Sequence, residues 1–447
     1  MLVSSTDTDP PQTTAKTPRD VGPVTALLWA IGVLMLPMLF QERYDRVLHS
    51  RIMGFDYRIF YQAATQVWLG HNPYSVRGYT YTPLLSAVMA PFFHTRVYGI
   101  EFRHWQTWTT VELIGLAIAI AVFVASEAYG RAAWQVPVIF IFVTLTSLHF
   151  WPITRILILG QVDIFVLILL LCSAWAQSRR KPGTRAVFLG LAVVLKVWPV
   201  VDGVVMLQRG LANRARAMIA FAITVCAAPI LILGFGGSSG LHTFVSSTSA
   251  QRSYDLVSHS LWGTASLLFS RTGLAQPLYV SNGLRIGLIC VLLPWVVGLI
   301  LLTLWTPGDA TMCLWNIAGC MVLVIPMVHL AYSIFLLPLL WVWGGRLLQR
   351  DERSAVSAVV FGVMVGWWLI QSQAWPDDGW SAHNPAWRFC VVFAVNLIAC
   401  TASVLGNWVI QRRNVPATPA RMRRNRSTSH ADQTAAHDAD PDAMPTA

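Results

Sequence analysis

The sequence predicts an all-α, polytopic integral membrane protein, and three observations carry that prediction. Hydrophobic residues make up 55% of the 447 residues and charged residues only 12%, too few charges to cover a soluble domain of this length. Mostly apolar windows of about 18 residues or more recur along the chain, each sufficient to cross roughly 30 Å of hydrocarbon. Lysine and arginine gather in short loops and in the C-terminal tail, where they set orientation and meet anionic headgroups. The net charge of +11 therefore points to a membrane surface and not to nucleic acid.

The elements follow in order. Residues 1–24 are rich in Thr, Pro and Asp and lack the basic-then-apolar pattern of a cleaved signal. They are expected to form a disordered cytoplasmic N-terminus, with 25–40 a retained anchor. Residues 41–83 make a first outer loop carrying short amphipathic helices. The stretch 80–93 is apolar but short and punctuated by Pro83 and Pro91, predicting a dip into the membrane or a broken span. Spans follow near 108–129 and 134–150, then 156–176 with the polar insert Gly160-Gln161-Val162-Asp163.

Residues 186–207 contain Lys196, Pro199 and Asp202 and lie between two basic loops, 179–185 and 209–216. Both loops face the cytoplasm if 186–207 is a hairpin of two half-helices lining a cavity. A span at 218–233 precedes a long polar segment, 234–260. Later spans are expected at 285–305, 313–325, 330–343, 355–370 and 387–410. Residues 25–411 thus read as one bundle of about 10–12 transmembrane helices, followed by a basic, disordered cytoplasmic tail, 412–447. No tandem repeat is visible. With the basic loops inside, the polar stations fall outside together: the Asp56 loop, 149–155, 242–259, 326–329 and 377–384.

Asp56 heads a helical pattern in which Ile59/Phe60, Ala63/Ala64 and Val67/Trp68 recur at i, i+4 and i+8, with Arg58, Gln62, Thr65 and Gln66 opposite. Gly70 and the turn His-Asn-Pro-Tyr-Ser end it. One apolar face between membrane segments predicts a helix lying along the bilayer surface. Asp56 is either the N-cap of that helix or a general base beside a substrate hydroxyl; the two roles are compatible. Lys196, a charge inside a span, either contacts substrate or pairs with Asp163 or Asp202, or snorkels to the interface. Aromatic residues near Asp56, Tyr61 and Tyr81 among them, suit stacking on sugar rings.

His149, His259 and His329 are individually weak signals. Asp377-Asp378 is an adjacent acidic pair suited to a divalent cation or to a solvated loop. The seven cysteines all fall in apolar stretches without metal-ligand spacing, so they read as packing residues. Most of the twenty tryptophans read as interface belts.

The pattern F-D-Y-x-x-F-Y-x-A-A-x-x-x-x-x-G-x-N-P-Y from Phe55 and Y-x-Y-x-P-L from Tyr79 resembles the polyprenol-phosphate-sugar-dependent glycosyltransferases of the GT-C superfamily. The bacterial group that includes the α-mannosyltransferases of phosphatidylinositol mannosides and lipoarabinomannan is the nearest in pattern. Gly160-Gln161, Leu195-Lys196-x-x-Pro199, Ser258-His259-Ser260-Leu261 and the Pro-x-x-His-x-x-x-Ser run from Pro326 to Ser333 fit the same resemblance, over roughly residues 25–345. The chain departs from the pattern at Asp163, where the family often has Asn, and at Thr82, where it often has a second proline.

The resemblance implies a GT-C-like fold in a cell membrane with the site on the extracytoplasmic side. It makes Asp56 the catalytic base and puts Gln161, Lys196, His259 and His329 around the donor phosphate or sugar. Arg155 would share with Lys196 the charge developing on that phosphate. The donor is expected to be a polyprenyl-phosphate sugar, foremost mannose, and the acceptor a glycolipid such as a phosphatidylinositol mannoside. A phosphate leaving group needs no general acid, so no cofactor and no obligatory metal are expected. The competing readings are a flippase for a lipid-linked saccharide, which would share the broken helices, and an enzyme using another donor, such as polyprenyl-phosphate arabinofuranose.

Overall fold

The computed structural model describes residues 22–49, 54–91, 100–128, 131–211, 213–250, 258–273, 275–307, 309–326, 328–349, 355–373 and 385–414. Of the termini expected to be disordered, residues 23–24 and 412–414 are helical; the rest, Gly22 apart, and the Asp377-Asp378 pair lie outside the described residues. Among the described residues the fold is helical and contains no strand, with one isolated bridge between Gln276 and Pro385.

Helix α1 (Pro23–Leu48) is longer than the expected anchor at both ends. Beyond residue 40 it turns polar, and the Glu42–Arg46 pair one turn apart supports the extension. Then come α2 (Phe55–Trp68), a 3₁₀ turn at Pro73–Ser75, α3 (Pro83–Met89) and α4 (Ile100–Glu127). Helices α5 (Gln135–Leu148) and α6 (Trp151–Leu159) form a pair bent by 59°, with Pro152 at the start of the second. They lead into α7 (Asp163–Ser178) and α8 (Pro182–Leu195), followed by a 3₁₀ segment, Trp198–Leu207.

Helix α9 (Arg214–Val225) continues as α10 (Ala227–Ala250). The polar segment from 234 is therefore helical as far as Ala250, broken only by non-helical Gly237, where a loop was expected. The rest is α11 (Leu261–Phe269), α12 (Asn282–Trp305), α13 (Ala310–Val324), a 3₁₀ segment at Leu330–Leu336, α14 (Leu337–Leu348), α15 (Ala355–Gln371) and α16 (Ala386–Asn414).

Among the described residues six helical runs are long and apolar enough to cross a membrane, and the bent α5–α6 pair makes a seventh. The rest of the 10–12 expected spans are shorter apolar helices of 10–17 residues. Leu27, Leu34 and Met38 on α1, Ile219, Ile223 and Ile230 on α9–α10, and Val291 and Leu301 on α12 all point outward. Aliphatic side chains turned outward over whole helices are what a bilayer covers. Helix α13 and the segment 330–348 are the innermost elements. Their polar groups find partners there: Trp343 donates to Ser403 at 2.9 Å, Ser403 to Asn316 at 2.7 Å, and Trp341 to Thr146 at 3.0 Å.

The stretch 186–207 turns back on itself. Helix α8 spans only about 21 Å at 1.5 Å per residue, short of the hydrocarbon thickness. It stops at Lys196, whose backbone is extended (φ −148°, ψ 118°), and Pro199, lacking an N–H for the Leu195 carbonyl, keeps α8 from running on. The 3₁₀ segment then packs back along α8, and Gln208 and Arg209 line one cleft with Gln177 and Arg180. The two basic loops thus share one end of the bundle. Arg131, bonded to the Gly345 carbonyl, and Arg346, bonded to Asp309, stand at that same end. At the other end lie α2, the start of α7 and His329. Residues 80–91 do not cross: α3 has seven residues and packs under α2.

Candidate active site

The site is assembled where α2, the α6–α7 turn, the break after α8 and the start of the 330–336 segment meet. Helix α2 begins at Gly54, whose left-handed backbone (φ 52°) makes it the N-cap. Asp56 is therefore a first-turn residue, not the N-cap, and no side chain caps the helix. The acid still suits the positive end of the helix.

The buried face of α2 is Tyr57, Phe60, Tyr61, Ala63, Ala64 and Thr65, while Arg58 and Gln62 are exposed. Thr65, expected on the polar side, is buried, with its hydroxyl donating to the Tyr61 carbonyl at 3.0 Å. Trp68, expected on the apolar side, is 51% exposed. The helix is clamped between the bundle and its own loop, with Tyr57 against Trp108 and Tyr61 against His104 of α4. It does not simply lie on the bilayer surface.

Glycine makes the central contact possible. Gly160 ends α6 in the left-handed region (φ 70°), and a Cβ there would stand 2.6 Å from Tyr57 Cβ. Without that Cβ, α2 packs directly on the α6–α7 turn, and the Gly54 N–H donates to the Ile158 carbonyl at 2.8 Å. The next residue, Gln161, then reaches across: its Nε2 donates to Asp56 Oδ2 at 2.6 Å.

Asp163, first residue of α7, is fully buried and accepts from Lys196 Nζ at 2.7 Å. The lysine is also an aromatic-cage cation, 4.3 Å from the Tyr332 ring centroid and 5.6 Å from that of Tyr81. Tyr81 is brought there by its loop. Tyr74 Oη donates to the Tyr81 carbonyl at 3.0 Å and Tyr79 Oη to the Thr82 carbonyl at 2.7 Å. The Thr82 hydroxyl donates to the Val194 carbonyl on the last turn of α8. Burial holds the Tyr79 phenol well above its usual range, so it stays a donor. The Tyr81 ring also meets Phe60 edge-on at 4.7 Å.

His329 caps the 330–336 segment from an extended backbone and stacks T-shaped on Tyr332, with centroids 6.1 Å apart. Its approach is braced by Ser258, whose hydroxyl accepts from the Val328 N–H at 2.8 Å. His259 sits in that brace: its Nδ1 lies 3.0 Å from the Phe389 carbonyl oxygen and its N–H donates to the Val328 carbonyl at 2.6 Å. It ties the His329 loop to α16. Arg155 is buried on α6, beside Thr154, which accepts from Arg43.

The structure therefore brings Asp56, Gln161, Lys196, Tyr81 and His329 into one cluster with Asp163 and Tyr332. Tyr61 stands behind it, and His259 serves the loop that carries His329. Asp56, Tyr81 and His329 are partly exposed, which is where the cluster opens. One further acid belongs to it. Glu112 is fully buried on α4 and has Asp163 and Asp56 among its electrostatic neighbours. An acid inside the apolar run of α4 is its sequence signal, the same signal that marks Lys196. Among the described residues no group of three or more His, Cys, Asp or Glu could hold a metal ion.

Comparison with known proteins covers most of this cluster. The family description "Glycosyltransferase family 87" matches residues 79–328, more than half of the chain. That stretch includes Tyr81, Gln161, Asp163 and Lys196 and stops one residue before His329; Asp56 precedes it. The chain is 23% identical over 405 residues to the GPI alpha-1,4-mannosyltransferase I catalytic subunit of Danio rerio, covering 86% of this chain and 97% of that protein. It is 40% identical over 68 residues to GPI mannosyltransferase 1 of Debaryomyces hansenii, 15% of this chain and 16% of that protein.

Proposed function

The chain belongs to glycosyltransferase family 87, and from that premise we propose that it moves mannose from a polyprenyl-phosphate donor to a hydroxyl of a glycolipid acceptor. Mannose is favoured because both similar proteins are named as mannosyltransferases. The acceptor is proposed to be of the phosphatidylinositol-mannoside kind, which would place the chain in the bacterial α-mannosyltransferase group. The reaction faces the side of a cell membrane opposite the basic loops.

The observation that carries this reading is the Asp56 carboxylate held at 2.6 Å by Gln161, at the partly exposed mouth of a cluster containing a buried lysine. The amide occupies Oδ2 and leaves Oδ1 to take a proton. In the proposed step the acceptor oxygen bonds to the anomeric carbon as the bond from that carbon to the phosphate oxygen breaks. Its electron pair leaves with the polyprenyl phosphate, and the hydroxyl proton goes to Asp56. Attack from the face opposite the phosphate inverts a β-linked donor to an α-linked product.

Lys196 Nζ gives one hydrogen to Asp163 and carries more to offer, so its cationic head can offset charge on the departing phosphate. Tyr81, Tyr332 and Tyr61 supply the ring faces and hydroxyls that sugars bind. His329, Gln161 and Arg155 are proposed to contact substrate, and His259 to hold the loop of His329. No metal is required, because the leaving phosphate is already ionised and the lysine stands in for a cation.

The test is the purified Asp56→Asn variant assayed with polyprenyl-phosphate mannose and a glycolipid acceptor. A variant that keeps its fold and donor affinity but loses turnover supports the base. Full retained turnover removes it.

A further inference from the structure

At the end of the bundle opposite Asp56, the loop after the 3₁₀ segment and the α7–α8 loop enclose a cleft of about 440 Å³. Its lining residues include Arg180 and Arg209, both exposed, and Gln177, Gln208 and Asn213, with Leu211 on the apolar side. The Gln177 oxygen already accepts from Arg185 at 2.9 Å, so its NH₂ group is the part left to a ligand. Among the described residues no carboxylate lines it. The adjacent acid, Asp309, is already engaged: one oxygen accepts from the Thr311 and Met312 N–H groups of α13, the other from Arg346 at 3.0 Å.

Gln208 is 2% exposed and its Oε1 has no hydrogen-bond partner. That oxygen is buried beneath the cleft surface, and a hydroxyl donor reaches it once the carboxamide turns outward. The depth of the cleft is also readable. The Arg209 N–H donates to the Leu304 carbonyl at 2.9 Å, one residue before Trp305, which is 71% exposed at the end of the lipid-facing helix α12. An outward tryptophan at a span end marks the headgroup layer.

We propose that this cleft binds the phosphorylated polyol headgroup of a membrane lipid, Arg180 and Arg209 holding the phosphate and the three carboxamides reading ring hydroxyls. Two guanidinium groups match a phosphate in charge and shape. Carboxamides both donate to and accept from hydroxyls, which a purely electrostatic surface has no need of. The site does not depend on the mannosyl-transfer reading, since it shares no residue with the Asp56 cluster.

The experiment uses the full-length chain in nanodiscs of phosphatidylcholine doped with either phosphatidylinositol or phosphatidylserine, two lipids of equal charge. Lipid retained after extraction is measured by native mass spectrometry. Wild type is expected to retain phosphatidylinositol about tenfold over phosphatidylserine, the order expected for one or two hydrogen bonds made by a fully seated headgroup. Arg180→Gln/Arg209→Gln loses about twentyfold of the phosphatidylinositol retention, following the cost of removing two cations near an anionic surface. Asn213→Gly keeps the left-handed backbone (φ 54°) while removing a carboxamide, so it is expected to narrow the preference between the two lipids without losing either.

All three positions are exposed, and an unchanged melting temperature in detergent controls for folding. Equal retention of the two lipids by wild type, or an arginine variant that binds like wild type, overturns the proposal. So does soluble glycerophosphoinositol competing at the same concentration as the lipid, which would make the ligand a free phosphate ester.

Discussion

The Gln161 amide and the Asp56 carboxylate lie 2.6 Å apart although 105 positions separate them in the chain. The contact exists because Gly160 lets the α6–α7 turn pack against Tyr57 of α2, and the Gly54 N–H ties α2 to the Ile158 carbonyl. The amide fixes which carboxylate oxygen is open, so the geometry of the proposed base is set by a residue that need not touch the proton.

Replacing Asp56 by Asn keeps the shape and removes the base. General bases contribute about 10²–10⁴-fold, so kcat is expected to fall by about 10³-fold. Donor KM stays within about threefold, and the melting temperature falls only slightly, by the loss of one helix-end charge worth about 0.3–1 kcal/mol. Steady-state kinetics with lipid-linked mannose checks this.

Gln161→Leu removes a hydrogen bond to a charged group, worth about 1.5–3 kcal/mol. The expected result is a fall of about 10–100-fold in kcat. Gln161→Glu should fare worse, because it sets a second carboxylate against Asp56 and supplies no donor when ionised. Equal activity of the two variants would mean that the amide only fills space.

Lys196→Met leaves the Asp163 charge buried and uncompensated, at a cost of about 3–5 kcal/mol. The double variant Lys196→Met/Asp163→Asn removes both charges and is expected to recover at least about 1 kcal/mol of that loss. Thermal unfolding of the four proteins gives the coupling. The double variant should nonetheless stay inactive, since the cation proposed to face the phosphate is gone.

Gly160→Ala puts a Cβ 2.6 Å from Tyr57 Cβ at a left-handed backbone position. The backbone term alone costs about 1–2 kcal/mol, and the clash must also push α2 away from Gln161. A lower melting temperature together with lost activity is expected. Gly183→Ala, where a Cβ meets nothing within 4 Å, is the control and should match wild type.

Removing divalent ions with EDTA is expected to leave most of the turnover in place. Abolition by EDTA with rescue by Mg²⁺ or Mn²⁺ would refute the metal-free step.

Much of this was legible in the chain. An acid heading an amphipathic helix, a lysine inside an apolar span with two aspartates in reach, and a proline three residues beyond it mark Asp56, Lys196 and the break after α8. The basic loops at 179–185 and 209–216 can share one side if 186–207 turns back, and it does. Other features were not legible. Periodicity leaves Asp163 and Asp202 equal as partners for Lys196; folding pairs the lysine with Asp163, while neither Asp202 carboxyl oxygen has a hydrogen-bond partner. His259 carries a motif-like neighbourhood, yet it braces a loop. The polar residues after 234 lack an apolar face to mark a helix, but α10 persists through them, with Gly236 and Gly240 packed close to Asn72 and Tyr74.

The sequence by itself determined that this protein is a helical membrane bundle and which end of it carries the basic loops. Transfer of apolar stretches into lipid, and the loop-charge rule, depend on composition over some twenty residues and not on who their neighbours are. Only the tertiary structure decided that Asp56 meets Gln161, that Asp163 pairs with Lys196, and that Tyr81 and Tyr332 flank that lysine. Those contacts join segments far apart in the chain, and they depend on close approaches of a few ångströms that glycine, a broken helix and a pinned loop allow.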